Sequence, residues 1–288
     1  MALWNWIFRA GLAIAVLGLV WTLWPEPGER AYASPYHLNR SRYHLGPRVD
    51  IDLGHWNNSP GDYRFLALGD LLVWDGYRVT RSKQYLVPEY LKDIRVLVIG
   101  NAVPYPAVLR GIAERLGLAG GGALTLEEVD AVRDWVRAGG SLLLEADVPR
   151  SGRAAAPLTA ALGLAVHDCL APVFVPAAQP GKHAILNGRA DYGERVYRAA
   201  VLAGGWIEAG PAVRATPLLT APADAGGRCS AGKAVAMAVE LGRGRVVALS
   251  AQLERNEDLI RRTGVDPRRS GNRQFLLNAM HWLSHGEN

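Results

Sequence analysis

Cysteine is nearly absent: Cys169 and Cys229 are the only two in 288 residues. They stand far apart and outside any Cys-x-x-Cys spacing, which excludes a zinc finger, a thioredoxin-type motif and a disulfide-dense scaffold. The two could pair in an oxidising compartment, but sequence does not say whether their Cα atoms approach closely enough. Other signatures are missing too. No Gly-x-Ser-x-Gly elbow supports a serine hydrolase. Gly120-Gly121-Gly122 is not followed by Gly-Lys-Ser/Thr, so it is a connector and not a phosphate loop. There is no internal repeat, no low-complexity tract, no RNA-binding aromatic signature and no basic heptad region, so nucleic acid is not an expected partner. No cofactor is expected either.

With 49% hydrophobic and 20% charged residues, the composition suits one compact domain plus an appended segment. The net charge is +5. Its densest source is the cluster Arg255, Arg261, Arg262, Arg268, Arg269 and Arg273, which could meet phosphate or anionic lipid or form a solvated face.

Residues 3–24 are apolar apart from Asn5, Arg9 and Thr22, and Pro25 ends the run. About 20 apolar residues at 1.5 Å each cross a bilayer core, so this stretch spans one if Arg9 snorkels to the headgroups. Trp4, Trp6, Trp21 and Trp24 sit at its two ends, where indoles favour the membrane interface. The rival is a cleavable signal peptide with Ala31-Tyr32-Ala33 as its cleavage site, followed by secretion. The paired tryptophans favour the lasting anchor. The expected location is the inner membrane, single-pass, with the domain facing the periplasm or exterior. Arg30, Arg40 and Arg42 just after the segment run against that orientation by the positive-inside rule. The expected organisation is anchor or signal over 1–25, linker over 26–47 and one domain over 48–285.

Within the domain, 49–53 alternates as a strand, 63–74 carries a helical face ending at Gly76, and 77–80 reads as a second strand. Residues 95–99 form a continuous buried strand. Thr125-Leu126-Glu127-Glu128 is a capping box, and the helix it opens ends at Gly139-Gly140 before the apolar run 141–144. Gly242-Arg243-Gly244 joins 235–241 to 245–249 as a hairpin, and 274–283 closes the domain as an amphipathic helix. The alternation predicts an α/β fold, a mostly parallel flavodoxin-like sheet with helices on both faces.

Ligands of such sheets bind beyond the carboxyl ends of the strands. The residues there are His55, Asn57 and Asn58 after the first strand, Asn101 after the 95–99 strand, and Glu145, Asp147 and Arg150 after the 141–144 strand. A later loop adds His183, Asn187, Arg189, Glu194 and Arg195. Any one of them is also an ordinary loop or capping residue.

Five runs carry a family resemblance over about residues 49–284. They are Gly54-His55-Trp56-Asn57-Asn58, Leu71-Leu72-x-x-Asp75-Gly76-Tyr77-Arg78-Val79, Val96-Leu97-Val98-Ile99-x-Asn101, the stretch from Glu128 to Leu144, and Gly242-x-Gly244-Arg245-Val246. Together they resemble the class I glutamine amidotransferase-like superfamily. The similarity is greatest to an uncharacterised extracytoplasmic branch related to ThuA-like proteins and to the GIFT domain of intraflagellar transport. Ala146-Asp147 and the loop from His183 to Arg189 match that branch; Trp56 is an insertion in its His-Asn-Asn stretch, and Leu53 stands where an acidic residue is common. The resemblance implies a strained turn bearing a nucleophilic cysteine after a central strand. That turn is expected at Glu145-Ala146-Asp147-Val148, where no cysteine is available, so glutaminase activity is not expected.

Two classes of function remain. The preferred one is a noncatalytic, membrane-tethered module that binds a polar ligand such as a saccharide, or a protein partner in the envelope. The alternative is a hydrolase-type enzyme, possibly metal-dependent, acting on a polar or saccharide substrate, with His55, Asp147 and His183 as weak metal candidates or as acid and base.

Overall fold

A strand covered on one face alternates polar and apolar residues, whereas 96–100 and 141–145 are apolar almost throughout, as burial on both faces requires. In a computed structural model of the chain they are β3 (Val96–Gly100) and β4 (Ser141–Glu145), with every residue buried. The structure describes residues 46–56, 66–105, 109, 112, 115–116, 121–147, 150–169, 174–179, 182–189, 193–201, 204–223, 231–251, 253 and 270–284. The expected membrane segment, most of the linker, Asn57, Asn58, Cys229 and the arginine cluster apart from Arg273 lie outside these residues. Among the described residues no helix is long and apolar enough to cross a membrane.

The main sheet also contains β1 (Arg48–Asp52), β2 (Arg78–Ser82), β5 (Leu164–His167), β8 (Trp206–Ala209), β9 (Arg214–Thr220), β10 (Ala234–Leu241) and β11 (Gly244–Leu249). Its order is β2-β1-β3-β4-β11-β10-β8-β5, with β9 also paired to β10. The first five pair in parallel, the arrangement of a flavodoxin-like half. The rest are added antiparallel. A separate small sheet joins β6 (Phe174–Pro176) to β7 (Arg198–Ala200).

Successive residues of the parallel strands serve opposite cores. On one face Val49, Ile51, Val96, Val98 and Leu143 pack with helices α1 (Leu66–Trp74) and α7 (Asn272–Leu283). On the other, Leu97, Ile99, Leu142 and Leu144 pack with α2 (Pro88–Leu91), α3 (Leu126–Arg137) and α5 (Ala156–Ala161). Each buried aliphatic side chain contributes roughly 1.5–3 kcal/mol before entropy is charged. The short helices α4 (Arg150–Ala154) and α6 (Ala184–Asn187) lie in the connections.

The capping box is present at α3: Thr125 Oγ1 accepts from Glu128 N, and Glu128 accepts from Thr125 N. The hairpin turn lies against the end of α3. A Cβ at Gly244 would stand 2.0 Å from the Val136 carbonyl oxygen, so only glycine fits there. Helix α7 departs from the amphipathic expectation, since all its residues but Arg273 and Gln274 are buried, polar ones included. The polar ones are spent internally. Asn272 exchanges bonds with Ala200 N and O, Asn278 Nδ2 donates to Ile185 O and Glu194 O, and His281 meets Asp75 at 2.6 Å.

Candidate functional site

At the carboxyl end of β1 the chain turns, and Asp52 fixes the turn: its Oδ1 accepts from Gly54 N at 2.9 Å and its Oδ2 lies 2.8 Å from His55 Nδ1. His55 Nε2 reaches Glu128 Oε1 at 3.2 Å. An imidazole with a carboxylate at each nitrogen donates to both only as the imidazolium. Burial pushes the His55 pKa down, but the hydrogen bond and charge of Asp52, reinforced by Glu128, outweigh it and hold the pKa above the ordinary 6.5. Burial pushes Glu128 up, yet backbone donors at Thr125 and Leu86 and the charge of His55 leave it below the ordinary 4.5. Glu128 Oε1 also accepts from Leu86 N at 3.1 Å, and its Oε2 accepts from Thr125 N and Oγ1, both at 3.0 Å. One buried cluster thus joins β1, the 54–56 turn, the 83–87 loop and the start of α3.

The backbone is strained at the same edge. The non-glycine residues with left-handed φ among those described are Trp56 at 51° and Asn101 at 50°. Asn101 directly follows β3, the middle of the five parallel strands. Its N donates to Glu145 O and its Oδ1 accepts from Asp147 N, both at 2.8 Å. Val103 N donates to His55 O at 2.9 Å, tying the two strained turns together. Of the turn expected to be strained at Glu145-Ala146-Asp147-Val148, the described residues Glu145, Ala146 and Asp147 have no left-handed φ, and Val148 lies outside the described residues. A left-handed φ cannot be seen from residue identity, although asparagine tolerates it better than most.

Between the 54–56 turn and the 83–87 loop opens a cavity of about 240 Å³, lined by His55, Lys83, Gln84, Tyr85, Thr125 and Glu128 among others. A larger hollow of about 760 Å³ runs along α3 past Asp130, Asp134 and Trp135 to Arg95 and Gly140. It lies on the helix flank and at the amino ends of the strands, away from the ends where an open α/β sheet places its ligands.

The structure brings His55, Asn101 and Asp147 to one edge and separates the later loop from them. His183 caps α6, its Nδ1 accepting from Ile185 N at 3.2 Å, and its ring packs edge-on to Trp282 with centroids 5.2 Å apart. Trp282 ends α7 at the opposite, amino end of the sheet, where its carbonyl accepts from Arg245 at the start of β11. Burial first, and then Arg245, lower the His183 pKa against the pull of Glu240. The expected common site of His55, Asp147 and His183 is thus divided between two ends of the sheet. Among the described residues no three His, Cys, Asp or Glu side chains are placed to hold a metal.

The remaining candidates are engaged locally. Arg189 forms a forked ion pair with Glu194, whose Oε2 also accepts from Arg189 N at 2.8 Å, and Arg195 donates to Asn187 Oδ1. Burial raises the Glu194 pKa, but Arg189 brings it below ordinary. Arg150 begins α4, and its side chain lies outside the described residues, as do Asn57 and Asn58. Sequence reasoning missed Asp52, Tyr85 and the second role of Glu128. Asp52 was visible as a carboxylate three residues before His55; Glu128 gave no sign beyond its cap.

No family profile and no curated protein matches the sequence. Solved structures match its shape. The mmIFT52 N-terminal domain superposes with TM-score 0.55 at 10% identity, over 83% of this chain and 99% of that one. A ThuA-like protein from Bacteroides uniformis gives 0.52 at 14% identity, over 85% and 94%. A cytoplasmic protein from Salmonella typhimurium LT2 gives 0.53 at 13%, over 82% and 98%. At these identities the likeness establishes the fold alone, an α/β domain with a mostly parallel central sheet.

Proposed function

We propose that this chain is a noncatalytic binding module of the cell envelope, tethered to the inner membrane by residues 3–24 with its domain facing outward. Its ligand is a polar molecule such as a saccharide, or a protein partner in the envelope, and not nucleic acid. One observation carries the noncatalytic part: the reactive positions of the carboxyl edge are spent on structure. The strained turn after β3 holds Asn101, whose amide oxygen binds Asp147 N. Both nitrogens of the neighbouring His55 face carboxylates, so no imidazole lone pair is left to act as a base.

The envelope location draws support from the apolar segment with tryptophans at both ends. It also draws support from Cys169, which is disulfide-bonded in a chain with one other cysteine, because such bonds persist in oxidising compartments. The test is twofold. The purified full chain is expected to release no ammonia from glutamine above the buffer rate, and turnover abolished by Asn101→Ala or His55→Gln would overturn the noncatalytic reading. A reporter fused after Ser284 is expected to be active only as the periplasmic type; activity of a cytoplasmic reporter alone would reverse the orientation.

A further inference from the structure

The starts of the five parallel strands lie side by side along one edge of the sheet. Arg78 N donates to Pro47 O, Arg95 N to Arg48 O, Ser141 N to Arg95 O and Arg245 N to Gly140 O, so β2, β1, β3, β4 and β11 begin in one row. Four strand spacings of roughly 4.8 Å make the row about 19 Å wide. Helices α3 and α7 end at the same edge, and a helix leaves its last carbonyls without intrahelical partners.

Arginines meet that need. Arg243 donates to Ala138 O at 2.8 Å and Arg95 to Gly139 O at 3.3 Å, both just past α3. At the end of α7, Arg245 donates to Trp282 O at 2.6 Å and Arg95 to Ser284 O at 3.4 Å, while Arg78 donates to Gly46 O at 3.0 Å. A carbonyl is a dipole: it satisfies a donor and leaves the guanidinium charged, offset only in part by the roughly half a negative charge at a helix end. Elsewhere arginines meet carboxylates, as Arg81 does Asp70, Arg133 does Asp130 and Asp134, and Arg189 does Glu194. Among the described residues none of the four edge arginines forms an ion pair. Glu240 faces Arg245, but Arg214 already holds it at 3.1 Å. Lys92 and Arg137 add exposed cations to the edge, and Asp93 one exposed carboxylate.

The edge is therefore cationic, with its charge spread along a row instead of gathered in a concavity. That shape matches a surface of phosphodiesters, which planar guanidinium forks bind through paired N–H···O bonds. The chain enters the domain through Gly46 in the same row, so the proposed anchor at residues 3–24 is attached on this side. We infer that the amino edge of the sheet, through Lys92, Arg95, Arg137, Arg243 and Arg245, docks on the anionic lipid headgroups of the membrane. This docking rests on the tethered-module reading and names the surface on which the domain lies.

The test reconstitutes the full chain by detergent removal into nanodiscs of phosphatidylcholine, alone or with an equal part of phosphatidylglycerol, and follows hydrogen–deuterium exchange by mass spectrometry. Peptides covering 92–95, 138–140 and 242–245 are expected to exchange more slowly in the anionic discs, and those covering 54–56 and 83–87 equally in both. The slowing should vanish in about 1 M NaCl, where the Debye length falls to about 3 Å. Lys92 and Arg137 make no side-chain hydrogen bond or ion pair among the described residues, so Lys92→Gln with Arg137→Gln should keep the melting temperature. Each loss should weaken docking about fivefold, the equivalent of ~1 kcal/mol per basic residue at an anionic surface. Docking is overturned if the edge peptides exchange alike in both discs, if the slowing survives the salt, or if the double variant is slowed as the parent is. A chain that elutes apart from neutral discs would instead overturn the tether, and slowing confined to anionic discs would still uphold the docking edge.

Discussion

Asp50 and His55 lie five residues apart, and both lose stability as pH rises, each through its own raised pKa. Asp50 is buried in β1, where its carboxylate accepts from the Thr80 and Tyr90 hydroxyls. Burial raises its pKa more than those donors and Arg48 lower it. A carboxyl with a raised folded pKa loses stability as pH climbs from the ordinary 3.8 through the folded value. Asp50→Asn is therefore expected to raise the melting temperature at pH 7 and to leave it nearly unchanged below pH 3.8, as read by thermal unfolding across that range. His55 loses stability in the same direction from a higher pH, and there it is the charged form that stabilises the fold. Its contribution is complete below 6.5 and is lost as pH rises through the raised folded value, while that of Glu128 is complete above 4.5 and is lost as pH falls through the lowered one. The cluster is at full strength between those two ordinary values. His55→Gln should cost about 3 kcal/mol in denaturant unfolding at pH 6, where it strands two buried carboxylates, and clearly less at pH 9. An equal loss at both values would show that the ring is held neutral.

At the scale of elements, legibility followed the range of the determining contacts. Strands β3 and β4 and helix α3 were visible in the sequence because burial on both faces and a capping box are written in adjacent residues. Strands β5, β8 and β9 were not, since they take their places from antiparallel pairing at the sheet's far side and carry little periodicity. Glu128 read as a cap because its cap partner is three residues away, whereas its bond to His55 spans 73 positions. The loop from His183 to Arg195 resembled a ligand site because ion pairs and caps use the same residue types as binding sites. Its partners show an anchoring role, with Asn278 of α7 donating to two of its carbonyls. Asn278→Ala should lower stability by about 2 kcal/mol by leaving both acceptors unpaired. Replacing Cys169 by Ser should cost on the order of 4 kcal/mol by releasing a long closed loop in the unfolded chain. Denaturant titration of each variant beside the parent measures both losses.

For the whole molecule, the described core begins at Gly46, well past the apolar segment. Deleting residues 1–33 is expected to yield a folded domain that no longer sediments with membranes and melts within a few degrees of the parent; an insoluble product would place the domain boundary earlier. The direction of β1 has a mechanical consequence. The chain enters β1 from Gly46 at one end, and the small cavity opens beyond Asp52 at the other. Were the chain held at both ends as proposed, tension would pull along the strand, and its ladders to β2 and β3 would carry the load together in shear instead of unzipping rung by rung.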